Sequence, residues 1–135
     1  MRTIMRYLWA APATGLGLAL AIVGIAAGGR LALHTGVIEA EGRLLAWGLT
    51  RLTWLDRGAA AITFGHVVLA RDADSLEWTR AHERVHVRQY ERWGPLFIPL
   101  YLAASVRALA RGRDPYFDNP FEREAMNPRG GYTRV

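Results

Sequence analysis

The chain has 135 residues, no cysteine and a formal net charge of +5, and all 17 basic side chains are arginine. This length suffices for one domain, and the lack of cysteine excludes disulfides and thiolate metal sites. The arginines are scattered among apolar and acidic residues, without a basic run or an interleaved aromatic platform. The composition therefore predicts no nucleic-acid partner, and membrane lipid head groups are the better match for the positive charge.

The N-terminal segment is apolar, and residues 7–29 read YLWAAPATGLGLALAIVGIAAGG without a charged side chain. A helix of this length spans the roughly 30 Å hydrocarbon core of a bilayer. We predict a retained membrane anchor over residues 1–30; a cleaved signal peptide is the alternative, because Arg2 and Arg6 precede the run. The same arginines favour a cytoplasmic N-terminus. They predict a single-pass protein of the bacterial inner membrane with its domain outside the cytoplasm.

The predicted domain, residues 31–135, begins with β-structure. The stretch GVIEAEGRLL alternates and carries turn residues at Gly36 and at Glu41-Gly42, which indicates a short hairpin. The stretch AAITFGHVVLAR (60–71) is rich in β-branched residues and predicts one strand, with Gly65 at a bulge or a close backbone approach. The segment between them, LLAWGLTRLTWL (44–55), fits a helix, a strand or a membrane-surface segment.

A helix is predicted from Ser75 to Trp93. Asp74, followed three residues later by Glu77, resembles a capping box, and Gly94-Pro95 is typical of a helix end.

This helix carries the pattern H-E-x-x-H, which is expected by chance roughly 0.005 times in a chain of this composition. His82 and His86 lie one turn apart on the same face, so both imidazoles can reach one metal ion at about 2.0–2.1 Å. Glu83 is placed to accept a proton from a water activated by that ion. The alternative is a solvated helix face, because the neighbouring Glu and Arg residues also fit i,i+4 pairing.

A catalytic zinc site needs a third protein ligand. His66 and His34 are candidates, but the better segment is DPYFDNPFEREAMNP (114–128), where Asn119-Pro120 is typical of a helix start. Glu122 is the first choice of ligand there and Glu124 the second. The alternative is that two acids in a first turn only complement the helix dipole.

HERVH followed downstream by FEREA resembles the gluzincin class of zinc metallopeptidases. The longer blocks RAHERVHVRQYERWGPLF and DPYFDNPFEREA resemble those of a group of small bacterial membrane proteins, from the anchor to about Ala125. The gluzincin resemblance implies zinc held by His82, His86 and Glu122, with Glu83 as the general base. It also implies that strand 60–71 is an edge strand along which an extended peptide lies.

One departure from that class concerns the residue that orients a histidine ligand. Membrane gluzincins continue E-x-x-A with Asp, but Met126 stands at that position here, and Asp118 is the candidate substitute. For the group that stabilises the oxyanion, the candidates are Tyr116, Tyr132 and His66.

A second apolar run, GPLFIPLYLAASV (94–106), is too short to span a bilayer. Crossing there would also separate the two histidines from Glu122, so we predict a helix over 96–111 beside the motif helix, partly in contact with lipid. The fold prediction is α+β: an N-terminal transmembrane helix, then a small zincin-like domain with a short antiparallel sheet, the H-E-x-x-H helix, this apolar helix and a short C-terminal helix.

The predicted function is that of a membrane-anchored zinc metallopeptidase acting on a peptide or protein. Two alternatives stay open: a zinc-stabilised membrane module without catalysis, and a membrane adaptor whose histidines bind nothing. The sequence does not specify the substrate or the oligomeric state.

Overall fold

The computed structural model describes residues 1–51 and 59–127. The elements are α1 (Arg2–Ala26), β1 (Arg30–His34), β2 (Val37–Glu41), α2 (Arg43–Arg51), β3 (Ala61–Phe64), β4 (Val67–Ala70), α3 (Ala73–Trp93), a 3₁₀ turn (Gly94–Leu96), α4 (Phe97–Ala110) and α5 (Pro120–Met126). The prediction of an α+β fold with a long apolar helix at the N-terminus is confirmed. The ambiguous segment 44–55 is helical as far as Arg51, and its remainder lies outside the described residues.

The four strands form one sheet in the order β1-β2-β4-β3. Each outer pair, β1/β2 and β3/β4, is antiparallel, whereas the central pair β2/β4 is parallel. The prediction of an antiparallel sheet is therefore wrong at its centre. The sheet is mixed because the chain leaves β2 through α2 and returns with β4 beside β2 in the same direction.

The predicted single strand over 60–71 is also wrong, because the chain reverses in its middle. Gly65 has φ +62° and forms a tight turn with His66 between β3 and β4, a backbone conformation that glycine adopts without strain. The expected close approach at Gly65 is confirmed, since a Cβ there would collide with Thr14 of α1. A first hairpin does form, with its turn at Thr35 and Gly36, both at positive φ, but it pairs β1 with β2. The predicted stretch 36–45 supplies only β2, and Glu41-Gly42 leads into α2 instead of a hairpin turn.

Helices cover both faces of the sheet, giving three layers. Along β4, Val67 and Leu69 pack in the core beneath α1 and α2, while Val68 and Ala70 pack in the core shared with α3. This alternation is the two-residue period of a strand buried on both faces. The polar Thr63 on β3 lies on the α3 face, where its hydroxyl contacts that helix.

The helix α1 packs on the rest of the protein through a stripe of small residues. Its buried positions are Ala10, Ala13, Gly17, Ala21 and Gly24. A Cβ at Gly17 would meet Val67, and one at Gly24 would meet Leu45. From Gly17 onward α1 therefore packs closely on the sheet and α2, whereas Ala10 and Ala13 pack against Tyr90 of α3 and Phe97 of α4.

Two helical stretches, Arg2–Ala26 and Ala73–Ala110, are long and apolar enough to cross a membrane by length and composition. Core helices of soluble proteins and N-terminal signal sequences share these properties.

The helix α3 begins at Ala73, two residues before the predicted start, because Asp72 is its N-cap and accepts a hydrogen bond from the Ser75 amide at 2.7 Å. The predicted capping box at Asp74 is therefore wrong. At its other end, Gly94 has φ +55° and turns the chain into α4. The predicted helix over 96–111 is confirmed as α4, whose buried side includes Phe97 and Ser105.

Candidate metal centre

Three side chains from two helices converge at one point between α3 and α5. The Nε2 atom of His82 lies 3.0 Å from the Glu122 carboxylate, that of His86 lies 3.2 Å from it, and the two Nε2 atoms are 3.3 Å apart. One donor atom from each residue lies within 4.8 Å of the others. This group of His82, His86 and Glu122 could hold a metal ion.

The position of Glu122 depends on how α5 begins. Asn119 is fully buried, and its side-chain oxygen accepts from the Phe121 amide at 2.9 Å, as expected of an N-cap. The amide nitrogen of the same side chain donates to Ser105 and to the backbone carbonyl of Tyr101, both on α4. Asn119 thus attaches the start of α5 to α4, and Glu122 follows one turn later facing α3.

Gln89 determines which nitrogen of His86 faces the centre. The side-chain nitrogen of Gln89 lies 3.0 Å from the backbone carbonyl of Phe121, to which it must donate because a carbonyl can only accept. The Oε1 atom of Gln89 therefore points the other way, to Nδ1 of His86 at 2.8 Å. Nδ1 therefore carries the hydrogen. In the neutral imidazole, Nε2 then presents a lone pair to the carboxylate of Glu122.

A lone pair facing a carboxylate is repulsive unless a cation lies between them. In the metal-free chain a proton fills that role: burial lowers the pKa of His86, but the hydrogen bond and negative charge of Glu122 outweigh it and raise that pKa to about 9. The charge of Glu83 acts in the same direction. A metal ion would occupy the same position and displace the proton.

Glu122 is buried yet ionised. Burial raises its pKa, but hydrogen bonds from His82 and His86 and the charge of His86 lower the pKa by more than burial raises it. The pKa of Glu122 is therefore well below its usual range. The Tyr101 hydroxyl donates to Glu122 Oε1 at 2.7 Å. Burial and the neighbouring carboxylate in turn raise the pKa of Tyr101, which keeps the phenol protonated as a donor.

Tyr116 is also close to the centre. Burial, and then the charges of Glu122 and Glu83, raise its pKa above the usual value. Of the three candidates for oxyanion stabilisation, Tyr116 is therefore the one beside the predicted ligand, and Tyr132 lies outside the described residues.

Glu83 follows His82 on α3 and is buried. Its Oε2 atom accepts a hydrogen bond from the Thr63 hydroxyl of β3 at 2.6 Å, and the Tyr90 hydroxyl donates to the Thr63 carbonyl at 3.0 Å. Burial, followed by the charge of Glu83, raises the pKa of Tyr90. The carboxylate is thus held by the edge strand on the side of α3 that meets the sheet.

The other predicted site residues lie outside the three-residue group. Glu124 accepts from Gln89 at 3.3 Å, so it adjoins the residue that orients His86. Asp118 pairs with Arg123 at 2.5 Å and accepts from the Asp114 amide. The pKa of Asp118 is lowered by that amide bond and by Arg123. Both contacts brace the loop before α5.

His66 belongs to a different part of the structure, in the turn between β3 and β4. Its Nε2 atom lies 2.9 Å from Glu91, and its ring stacks on Tyr7 of α1 at 3.9 Å. His34, the other histidine considered as a ligand, is on the exposed edge strand β1.

Sequence reasoning missed Gln89 and Tyr101. The spacing offered a signal for Gln89, because a residue three positions after His86 lies on the same helix face. Tyr101 carried no such signal, since its approach to Glu122 depends on the turn at Gly94 and on the loop that returns the chain to α5.

Comparison with protein-family models, curated proteins and solved structures found no match to this chain.

Proposed function

We propose that this protein is a membrane-bound zinc peptidase of gluzincin type. The observation that carries the proposal is the convergence of His82, His86 and Glu122, with Glu83 next to the first histidine on the same helix. Two imidazoles and one carboxylate are a ligand set of catalytic zinc sites, which keep a fourth position open for water or substrate.

The spacing of the three donor atoms fits one small cation. Ligands at about 2.0–2.1 Å from a tetrahedral zinc ion are about 3.3–3.4 Å from each other. The distances of 3.0, 3.2 and 3.3 Å among the three groups are close to that value. Imidazole and carboxylate donors without thiolate suit zinc or another first-row ion. Zinc bound there would supply the acidity that activates a water molecule for attack on a peptide carbonyl.

The chain's own residues would do the remaining work. Glu83 would accept the proton of the attacking water and pass it to the leaving amine, as a general base and then a general acid. Thr63 holds that carboxylate from the edge strand. Gln89 keeps His86 in the tautomer whose Nε2 lone pair faces the centre, and Tyr101 fixes the orientation of Glu122.

The zincin-like fold is part of this proposal. β3 is an edge of the sheet and contacts the helix that bears Glu83. An extended peptide lying along such an edge would pass beside the general base, since strand addition is a common mode of peptide recognition.

A second candidate is a zinc-stabilised module without catalysis. The observation that favours it is the engagement of Glu83, which is buried and bonded to Thr63 and thus resembles a structural carboxylate. In a domain this small, a metal that joins α3 to α5 would contribute directly to folding.

The first experiment is elemental analysis of the purified wild-type protein and of the His86→Ala and Glu122→Ala variants. We expect about one zinc per wild-type chain and strong loss in both variants, because a site with three protein ligands does not tolerate losing one. Retention of zinc by Glu122→Ala would move the third ligand to another residue. Absence of metal from the wild type after zinc is resupplied would leave the adaptor reading.

Glu83→Gln separates catalysis from a structural role. We expect this variant to keep its zinc and to lose peptide hydrolysis by at least about 10²-fold, the range of a lost general base. The assay is cleavage of a quenched-fluorescence peptide library, with Glu77→Gln, an exposed glutamate on the same helix, as the control. Zinc-loaded wild type without activity on any peptide would favour the structural module.

A further inference from the structure

We propose that α1 and α2 lie flat in the interfacial layer of an anionic bilayer, so that the chain binds the membrane from one side without crossing it. This replaces the single crossing expected from the sequence, and it stands apart from the proposed metal chemistry. The occupant of this surface is phospholipid with a negatively charged head group.

The outward side of α1 needs a cover other than water. Its exposed large apolar residues include Ile4, Met5, Leu8, Leu16, Leu20, Ile22, Val23 and Ile25. No charged residue interrupts the helix between Tyr7 and its end. A continuous apolar face of this length far exceeds the patches normally left exposed on soluble proteins.

The way α1 packs excludes an upright position. The helix is held against the domain along its length: the Tyr7 hydroxyl donates to the Gly36 carbonyl and Thr14 abuts Gly65, both in turns of the sheet, and Gly24 abuts Leu45 of α2. A crossing α1 would therefore bring the sheet and the layer behind it to membrane depth.

That third layer is unsuited to hydrocarbon. The charged residues of α3 between its second and last turns are Glu77, Arg80, Glu83, Arg84, Arg88, Glu91 and Arg92. The outer strands β1 and β3 would also place unpaired backbone groups in lipid. Exposed sheet edges and most charged side chains are not tolerated there.

Charge divides between the two helix layers. The helices α1 and α2 contain no Asp or Glu, and their charged residues are Arg2, Arg6, Arg43 and Arg51. The acidic residues Asp74 and Glu77 lie on α3, across the sheet, whereas Glu91 near the end of α3 lies 3.8 Å from Arg6 of α1. A layer that carries only apolar and positive side chains complements an anionic membrane surface.

Each helix of this layer carries one exposed tryptophan, although α3 also exposes Trp78 and Trp93. Trp9 of α1 is 45% exposed and Trp47 of α2 is 55% exposed. Indole rings prefer the boundary between head groups and hydrocarbon. On a helix lying in the membrane plane, such rings and the arginines reach this boundary along the whole element.

Single cysteines test the topology directly, because the chain has none of its own. Thr3→Cys and Ala27→Cys, both at exposed positions, place thiols at opposite ends of α1. Each variant is added to preformed vesicles containing phosphatidylglycerol and treated with a membrane-impermeant maleimide. We expect both thiols to react fully from outside. Reaction of one thiol only after the vesicles are lysed would overturn the proposal.

Depth measurements provide a second readout. Spin labels are attached at Leu8→Cys, Leu16→Cys and Val23→Cys. The rates at which the labels collide with oxygen and with a nickel chelate should indicate the same shallow depth for all three. A crossing helix would instead place the label at position 16 deepest and the other two nearer the surfaces. A label at Arg88→Cys on α3, an exposed position, is the control and should report water.

Lipid dependence tests the chemistry of the occupant. Arg2→Gln and Arg43→Gln should each weaken binding to phosphatidylglycerol vesicles about fivefold, the factor for one arginine near an anionic surface, whereas Arg88→Gln should leave it unchanged. Equal binding of all three variants, or wild-type protein that stays in the supernatant with every vesicle, would refute an anionic lipid partner.

Discussion

Gln89 is expected to set the affinity of the centre for its metal without touching the metal. We consider Gln89→Leu, which keeps the approximate volume of the side chain but removes both hydrogen-bonding groups. The wild-type side chain is 2% exposed and bonds His86 Nδ1 at 2.8 Å and the Phe121 carbonyl at 3.0 Å.

The expected magnitude follows from those two bonds. Loss of the partner of a ligating histidine costs about 10–100-fold in metal affinity, or about 1–3 kcal/mol. Leaving the His86 N–H and the Phe121 carbonyl without partners costs about 1–3 kcal/mol each in folding free energy. Gln89→Leu should therefore bind zinc at least about tenfold more weakly and unfold at a lower urea concentration.

Two further variants separate orientation from stability. Gln89→Glu still offers an acceptor to His86 but cannot donate to Phe121, so we expect near-normal zinc affinity with reduced stability. Leu76→Ala removes a core side chain on the same helix, away from the centre. It should cost about 2–5 kcal/mol in stability and leave zinc affinity unchanged.

The assay is zinc competition with a chelating dye at fixed pH, paired with urea unfolding of each metal-free variant. Zinc affinity of Gln89→Leu within twofold of that of Leu76→Ala would refute the reasoning, because the tautomer of His86 would then not depend on Gln89.

Two other predictions concern pH and the contact between α1 and the sheet. Because the pKa of His86 is raised to about 9 in the metal-free chain, its contribution to stability is complete below about pH 6.5 and is lost as pH rises through about 9. The urea concentration at the unfolding midpoint should fall over that window. In Glu122→Gln the midpoint should change less with pH. Zinc must displace the same proton, so zinc affinity should rise with pH and level off near pH 9. Gly65→Ala should destabilise the protein by at least about 2 kcal/mol more than Gly112→Ala in thermal unfolding. Both glycines have similar positive φ, but only at Gly65 does an added Cβ meet another segment, Thr14; equal losses would contradict close packing of α1.

Local patterns were sufficient for much of the centre. H-E-x-x-H spacing places His82 and His86 on one face because a helix has 3.6 residues per turn, and Asn119-Pro120 marks the start of α5 because both residues satisfy helix-start geometry. The convergence of Glu122 with the histidines was expected from a resemblance, and in the structure the three donor atoms do meet.

Other features lay beyond local patterns. A strand pattern such as AAITFGHVVLAR has the same alternation whether the chain continues or reverses at Gly65. The turn at Gly65 depends on packing against α1, whose Thr14 occupies the space beside that glycine. The parallel pairing of β2 with β4 likewise joins segments that no turn connects.

The sequence by itself determined which residue types can bind a metal, that no thiolate is among them, and where α3 ends and α5 begins, because these depend on side-chain chemistry and on neighbours within a turn or two. Only the tertiary structure decided that Gln89 orients His86, that Tyr101 bonds Glu122, and that α1 covers a sheet instead of standing alone. Each of these contacts joins residues brought together by packing, and the free energy of packing depends on the whole set of buried surfaces and not on any one segment.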